Sequence, residues 1–353
     1  MNPFTPALGE FPRATWAAAL TRALRRMPDA HLGQPDPAGT RELRDALAAY
    51  LGRVRGLRAG ADQIIVTCGA RHGIGLVWSA LAARGARTAA IEQPGWHGIR
   101  ETITAAGLEP LPFPVDGHGL EVAALLRAEG LDAVAVAPAH QYPTGAVLSA
   151  SRRQALVSWA RDGDRLLVED DYDAEYRYDR QPIGCLQGLS PEHVAYVGST
   201  SKTLSPALRL GWLALPRTLA GDVAEQARLS GAAPSVAVQL TFAELLARGE
   251  VDRHLRRQRR RYARRREALL GALAARLPEL AAGGASAGLF AVLELPADAD
   301  EQRVARAARG RGIVLERRRH GGPALVLGYA NLEPSTAGAA VAQLAAAIES
   351  SRG

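Results

Sequence analysis

The chain has 353 residues, enough for a large core and for a major domain with a smaller one beside it. With 47% hydrophobic residues, no apolar run of membrane-spanning length and no basic-then-apolar leader at Met1-Asn2-Pro3-Phe4, it reads as a cytoplasmic protein with no membrane partner. Two cysteines, Cys68 and Cys185, exclude a disulfide framework or a cysteine-rich metal site and read as buried thiols, no metal is expected, and the net charge of +7 is concentrated over residues 253–266.

From the N-terminus, residues 13–27 read as a short amphipathic helix after a proline-rich start. Gly33-Gln34-Pro35-Asp36-Pro37-Ala38-Gly39 is a turn feeding a second helix to about Leu51. Gln63-Ile64-Ile65-Val66-Thr67 reads as a strand, and Gly69-Ala70-Arg71-His72 as a turn into a helix to about Ala83. Free N–H groups at a helix start attract phosphate, and Gly69 lets the backbone approach closely. A strand over 88–91 precedes Glu92-Gln93-Pro94-Gly95-Trp96-His97-Gly98, and a strand over 133–137 leads into Pro138-Ala139-His140-Gln141-Tyr142-Pro143-Thr144-Gly145. Leu166-Leu167-Val168-Glu169-Asp170-Asp171-Tyr172 reads as a buried strand ending in carboxylates, at the edge where open α/β sheets bind ligands.

Next comes Gly198-Ser199-Thr200-Ser201-Lys202-Thr203-Leu204-Ser205-Pro206-Ala207-Leu208-Arg209-Leu210-Gly211, which holds the only lysine of the sequence. All the other long cationic side chains are arginine. Guanidinium stays charged and is a poor nucleophile, whereas a lysine amine can lose its proton and form a Schiff base, so Lys202 is the candidate nucleophile. Hydroxyls at Ser199 and Ser201 and the guanidinium of Arg209 suit a phosphate held beside an imine. A cofactor that joins an aldehyde to a phosphate is pyridoxal 5′-phosphate, which also needs an acid at its ring nitrogen; Asp170 is the candidate.

From about residue 217 the pattern is mainly helical, as far as about 277. Within the arginine-dense run, Leu255, Tyr262 and Leu269 recur every seven residues, giving one long helix with a narrow apolar seam and a solvated arginine face. No base-stacking aromatics are interleaved, so nucleic acid is not an expected partner. Strands are expected over 288–295, 312–315 and 324–329, with loops at Gly283-Gly284 and Gly321-Gly322.

Glu169-Asp170-Asp171-Tyr172-Asp173-Ala174-Glu175-Tyr176, followed by Ser199-Thr200-Ser201-Lys202 and Leu208-Arg209-Leu210-Gly211, resembles the fold-type I, class I/II aminotransferases, and within them the aminotransferase-like domain of MocR-type regulators. The resemblance runs from about Phe11 to the C-terminus. It implies an α/β fold with a large domain, whose mainly parallel seven-stranded sheet lies between helices, and a small α+β domain. The expected division is an N-terminal segment (1–35) packing on the small domain, a large cofactor-binding domain (36–235) and a small C-terminal domain (236–353).

The resemblance implies a Lys202 aldimine, with Asp170 on the pyridine nitrogen and Gly69, Ala70, Arg71, Ser199, Ser201 and Arg209 around the phosphate. Trp96 would stack on the ring. Tyr142 stands where most of the family has an asparagine against the phenolic oxygen, so Gln141 or Tyr172 would supply that contact. Gln34 stands where a family tyrosine crosses a homodimer to the partner's phosphate. His97 would line the substrate pocket, and Asn331 occupies the position expected for a carboxylate-binding arginine, with Arg317, Arg318 or Arg319 as substitutes. The expected substrate is an amino acid or amine. Transamination is the reading favoured; lyase, decarboxylase or carbon–carbon bond-forming chemistry are alternatives. A ligand-sensing domain of a MocR-type regulator is the competing class, and Met1 directly before the aminotransferase-like part favours a standalone enzyme if it is the natural start.

Overall fold

A computed structural model describes residues 1–179 and 183–351. In chain order its strands are β1 (Ile64–Thr67), β2 (Thr88–Gln93), β3 (Glu109–Asp116), β4 (Gly119–Leu120), β5 (Ala133–Val136), β6 (Leu166–Asp170), β7 (Val194–Ser199), β8 (Gly211–Ala214), β9 (Ala282–Gly283), β10 (Phe290–Glu294), β11 (Glu316–Arg317) and β12 (Ala324–Gly328). The helices are α1 (Arg13–Arg26), α2 (Arg41–Arg55), α3 (Ala70–Ala83), α4 (His97–Ala105), α5 (Val122–Leu126), α6 (Ala150–Asp162), α7 (Arg217–Ser230), α8 (Val236–Ala247), α9 (Glu250–Arg276), α10 (Glu301–Gly310) and α11 (Ala337–Glu349).

The first eight strands form one sheet in the order β1-β8-β7-β6-β5-β2-β3-β4. Pairing is parallel from β3 through β2, β5 and β6 to β7, and antiparallel at β7–β8, β8–β1 and β3–β4. The sheet therefore has the expected seven strands plus a two-residue edge strand, β4, which a two-residue run is too short to reveal in sequence. Central strands are apolar along their middles and polar only toward their ends because helices cover both faces. Their alternation assigns the faces. Ala133, Ala135, Leu166 and Val168 pack with Ile74, Val77, Trp78, Ile99, Leu219 and Val223 of α3, α4 and α7, whereas Val134, Val136 and Leu167 pack with Leu125, Leu156 and Trp159 of α5 and α6.

The last four strands form an antiparallel sheet in the order β11-β12-β10-β9. Leu293, Leu325 and Leu327 face a core shared with α9 and α11, while Phe290, Val292, Ala324 and Val326 face the other way, against Tyr142 and Tyr172. That second face closes the site described below. Two strand expectations shift here. The apolar run over 312–315 makes no ladder, and pairing with β12 begins only at Glu316 and Arg317; Gly283, expected in a loop, pairs with Val292.

The arginine-dense stretch lies within the 27-residue α9, whose Leu255, Tyr262 and Leu269 are buried. One arginine departs from the solvated face: Arg265 is buried, donating to the Ala330 carbonyl and pairing with Glu333. Residues 1–10 lie across the small sheet and α9. The Met1 carbonyl accepts from Gly328 N (2.8 Å), the Tyr262 hydroxyl accepts from Ala7 N (3.0 Å), and Glu10 pairs with Arg261. Cys185 is a buried free thiol and Cys68 a half-buried one. Among the described residues, no helix is long and apolar enough to cross a membrane and no group of side chains could hold a metal.

Candidate active site

The register brings the chemistry to one sheet edge. Gly211 pairs with both Ser199 and Thr67, so the starts of the Lys202 loop, of β8 and of the turn into α3 lie side by side. A side chain on Gly211 would meet Gly69 Cα at 2.8 Å and Ala70 N at 3.0 Å, so only glycine allows the N-terminus of α3 to sit this close to β8. Arg209 follows a short 3-10 turn (Pro206–Leu208) capped by Ser205, whose hydroxyl accepts from Ala207 N at 3.2 Å; left-handed at φ 49°, it lies beside Gly69. Free helix N–H groups and a guanidinium thus face the same end of one cavity of about 580 Å³, lined there by Gly69, Ala70, Ser199, Ser201 and Arg209.

Lys202 lies in the turn after β7. Thr203 beside it is fixed by His254 of α9, whose Nε2 is 3.0 Å from the Thr203 carbonyl, and the Tyr176 hydroxyl donates to the Lys202 carbonyl at 3.3 Å. The Lys202 amine enters the cavity and donates to the Phe4 carbonyl at 2.6 Å. Burial pulls its pKa down from 10.5 to about 8, although the nearby charges of Asp173 and Asp170 act the other way. A neutral, nucleophilic amine is therefore accessible near physiological pH.

Asp170 ends β6 and lines the same cavity, while Asp171 points to the opposite side, where it accepts from Arg55 Nε and the Tyr196 hydroxyl, each at 2.7 Å. Asp170 has no such partners: its Oδ1 is buried with no hydrogen bond, and burial, reinforced by the charges of Asp171 and Asp173, pushes it up to about 7. A buried carboxyl without a partner at the cavity wall fits a cationic N–H donor there.

Trp96, at the start of α4, and His97, Arg71, Tyr142 and Tyr172 also line the cavity. The Tyr172 hydroxyl donates to the His140 carbonyl at 2.7 Å. Three expected site residues do not line it. Gln141 is fully buried behind the wall, its amide nitrogen donating to the carbonyls of Pro94 (2.8 Å) and Tyr142 (2.6 Å) and its oxygen accepting from Thr144, so it braces a loop. Gln34 is exposed on the surface. Asn331 donates to the carbonyls of Thr5 (2.9 Å) and Pro6 (3.0 Å), because β12 ends at Gly328 and the chain has turned toward the N-terminal segment.

Sequence reasoning assigned no role to four further residues. Phe4 closes the cavity and accepts from Lys202. Glu92, the last acid of β2, lines it and is pushed up to about 8 by burial, with Ala137 N and Gln141 Nε2 as donors at 3.3 Å. His140 and Asp173 form a fully buried pair (Nδ1 to Oδ2, 2.9 Å) against Phe290. No local signal in the sequence marks Glu92, an acid near the end of β2 and four residues before Trp96, as facing a cavity.

One reactive lysine, one unpaired acid and a helix start with an arginine, all at the open edge of a mainly parallel sheet, define a protein of pyridoxal-phosphate type. The chain belongs to the aminotransferase class I and II family, which it matches over residues 7–322, and the cofactor of that family is pyridoxal phosphate. It is 32% identical over 352 residues to the HTH-type pyridoxine biosynthesis transcriptional regulator PdxR of Corynebacterium glutamicum, covering 99% of this chain and 76% of that protein. With the probable rhizopine catabolism regulatory protein MocR of Rhizobium meliloti it shares 30% over 343 residues, 95% of this chain and 69% of that protein. The chain spans about two thirds of the length of such curated relatives. Its fold is that of the fold-type I aminotransferases: the kynurenine aminotransferase of Pyrococcus horikoshii superposes with a TM-score of 0.88 at 22% identity, over 99% of this chain and 90% of that one.

Proposed function

We propose that the protein binds pyridoxal 5′-phosphate on Lys202 and acts on an amino acid or amine, with transamination as its reaction. The observation that carries this reading is the position of Lys202, Asp170 and the α3 start with Arg209 around one cavity. When bound, the cofactor supplies an electron sink for the carbon that carries the substrate's amine. Arg209, Ser199, Ser201 and the N–H groups of the α3 start hold its phosphate. The Asp170 carboxylate would accept from the ring N–H and favour its protonated form, and Trp96 would offer its flat face to the ring. Lys202 would hold the group through its aldehyde, and its amine would be the residue that moves a proton at the carbon bearing the substrate's amine.

The relatives named as transcriptional regulators favour a second reading, in which the same site binds an amine as a signal and turnover is incidental. Both readings require the covalent link, and multiple-turnover transfer to a keto acid separates them. The link itself is tested by borohydride reduction of the cofactor-loaded protein, which should label Lys202 alone; Lys202→Ala should give an unlabelled, colourless protein. Labelling of the variant at another residue overturns the assignment.

A further inference from the structure

The cavity sets an aromatic wall against its basic side chains, with the Lys202 amine 5.3 Å from the centre of the Phe4 ring. That wall is made by Phe4, Tyr142 and Phe290, with ring centroids 5.2 Å (Phe4 to Tyr142) and 5.6 Å (Tyr142 to Phe290) apart, backed by Val292, Ala324 and Val326. Among the described residues, Lys202, Arg209, Arg71 and His97 are the basic side chains that line the cavity. Lys202 is committed to the cofactor, Arg209 sits at the phosphate end, Arg71 pairs with Glu101 and His97 is exposed. Among the described residues, no arginine lies in that wall. Those of the small sheet are engaged elsewhere: Arg317 with Glu301, and Arg318 with both oxygens of Glu294 and with the Gly322 carbonyl. Arg265 is taken up by Ala330 and Glu333, and the amide of Asn331 is spent on the N-terminal segment. Two acids, Glu92 and Asp170, line the cavity as well. A carboxylate on the carbon that bears the amine would meet an apolar wall and two carboxyl groups, with no free cation among the described residues that line the cavity.

We propose that this site takes a primary amine with an apolar body and no carboxylate on the carbon that bears the amine. The inference rests on the cofactor reading above and narrows its substrate class. The apolar body lies against Phe4, Tyr142 and Phe290, and the amine faces Lys202. The competing anchor is Arg319, which is exposed, has no ion pair among the described residues and acts through its charge on the Tyr142 hydroxyl from the β11 side.

The test titrates the cofactor-loaded protein with phenethylamine and with L-phenylalanine, which share a body and differ by the carboxylate. The readout is the change in visible cofactor absorbance, so turnover is not required. Phenethylamine should bind with an apparent Kd about ten-fold lower or better, and Arg319→Ala should leave that ratio unchanged. Equal or tighter binding of L-phenylalanine overturns the proposal, and its loss in Arg319→Ala would assign the carboxylate to Arg319. A loaded, coloured protein that responds to neither compound also overturns the proposal while sparing the cofactor reading; a protein that takes up no chromophore removes both.

Discussion

Asp170 and Asp171 are neighbours with opposite energetics. Each keeps a buried Oδ1 without a donor, but Asp171 Oδ2 is held by Arg55 and Tyr196, whereas the Asp170 side chain makes no hydrogen bond or ion pair among the described residues. With its pKa raised from 3.8 to about 7, the folded protein binds a proton at Asp170 that the unfolded chain has already released between those two values. Folding stability contributed by this group is therefore full below about pH 4 and is lost as pH rises through 7. We predict that Asp170→Asn in the cofactor-free protein is more stable than wild type at pH 8, on the order of 1–3 kcal/mol, and that the gap narrows toward pH 5, as read by urea unfolding. A gap independent of pH would mean that Asp170 has a partner in the free protein. Lys202 was legible in the sequence because no other lysine competes with it, and Asp170 because alternation separates it from Asp171. Asn331 was misplaced because spacing from Tyr329 says nothing of the turn after Gly328. Glu92 escaped because nothing local distinguishes a buried acid facing a cavity from one facing solvent.

At the scale of elements, the seam between the two sheets is packed around the His140–Asp173 pair. Gly288, at φ 73°, lies directly on it, and a side chain there would collide with the His140 ring and the Asp173 carboxylate. Gly288→Ala should therefore cost about 2–4 kcal/mol, from the positive φ and the collision together, whereas Gly283→Ala, with open space around it, should stay within about 0.5 kcal/mol. Denaturant midpoints compare the two, and equal effects would refute the packing described. Elements with both faces buried, such as β5 and β6, announce themselves as apolar runs of the right length. Those of two residues, β4, β9 and β11, do not, because their pairing is set by the neighbouring strand rather than by their own side chains. Gly-Ile-Val-Leu over 312–315 has the composition of a strand, but Ile313 and Leu315 are buried in the α9–α11 core and the ladder begins one residue later.

For the whole molecule, the sequence resemblance implies a homodimer, and the surface offers a place to look. Leu32 is 72% exposed in the turn that leads to the exposed Gln34. We predict, from that resemblance, a dimer by sedimentation equilibrium at micromolar concentration and a weaker one for Leu32→Asp, which would place an unpaired charge beside the stretch expected to reach the partner. A wild-type monomer at that concentration would remove Gln34 from any role in a second copy's site. The single lysine has a consequence of a different kind. Apart from the half-buried amino terminus, the molecule presents guanidinium groups to solvent and keeps its one ε-amine inside the cavity, against the Phe4 carbonyl. Acylating reagents that modify most proteins at many lysines thus find a single ε-amine here, in the interior, and the extent of acylation at Lys202 itself becomes a chemical gauge of how often that cavity stands open and unfilled.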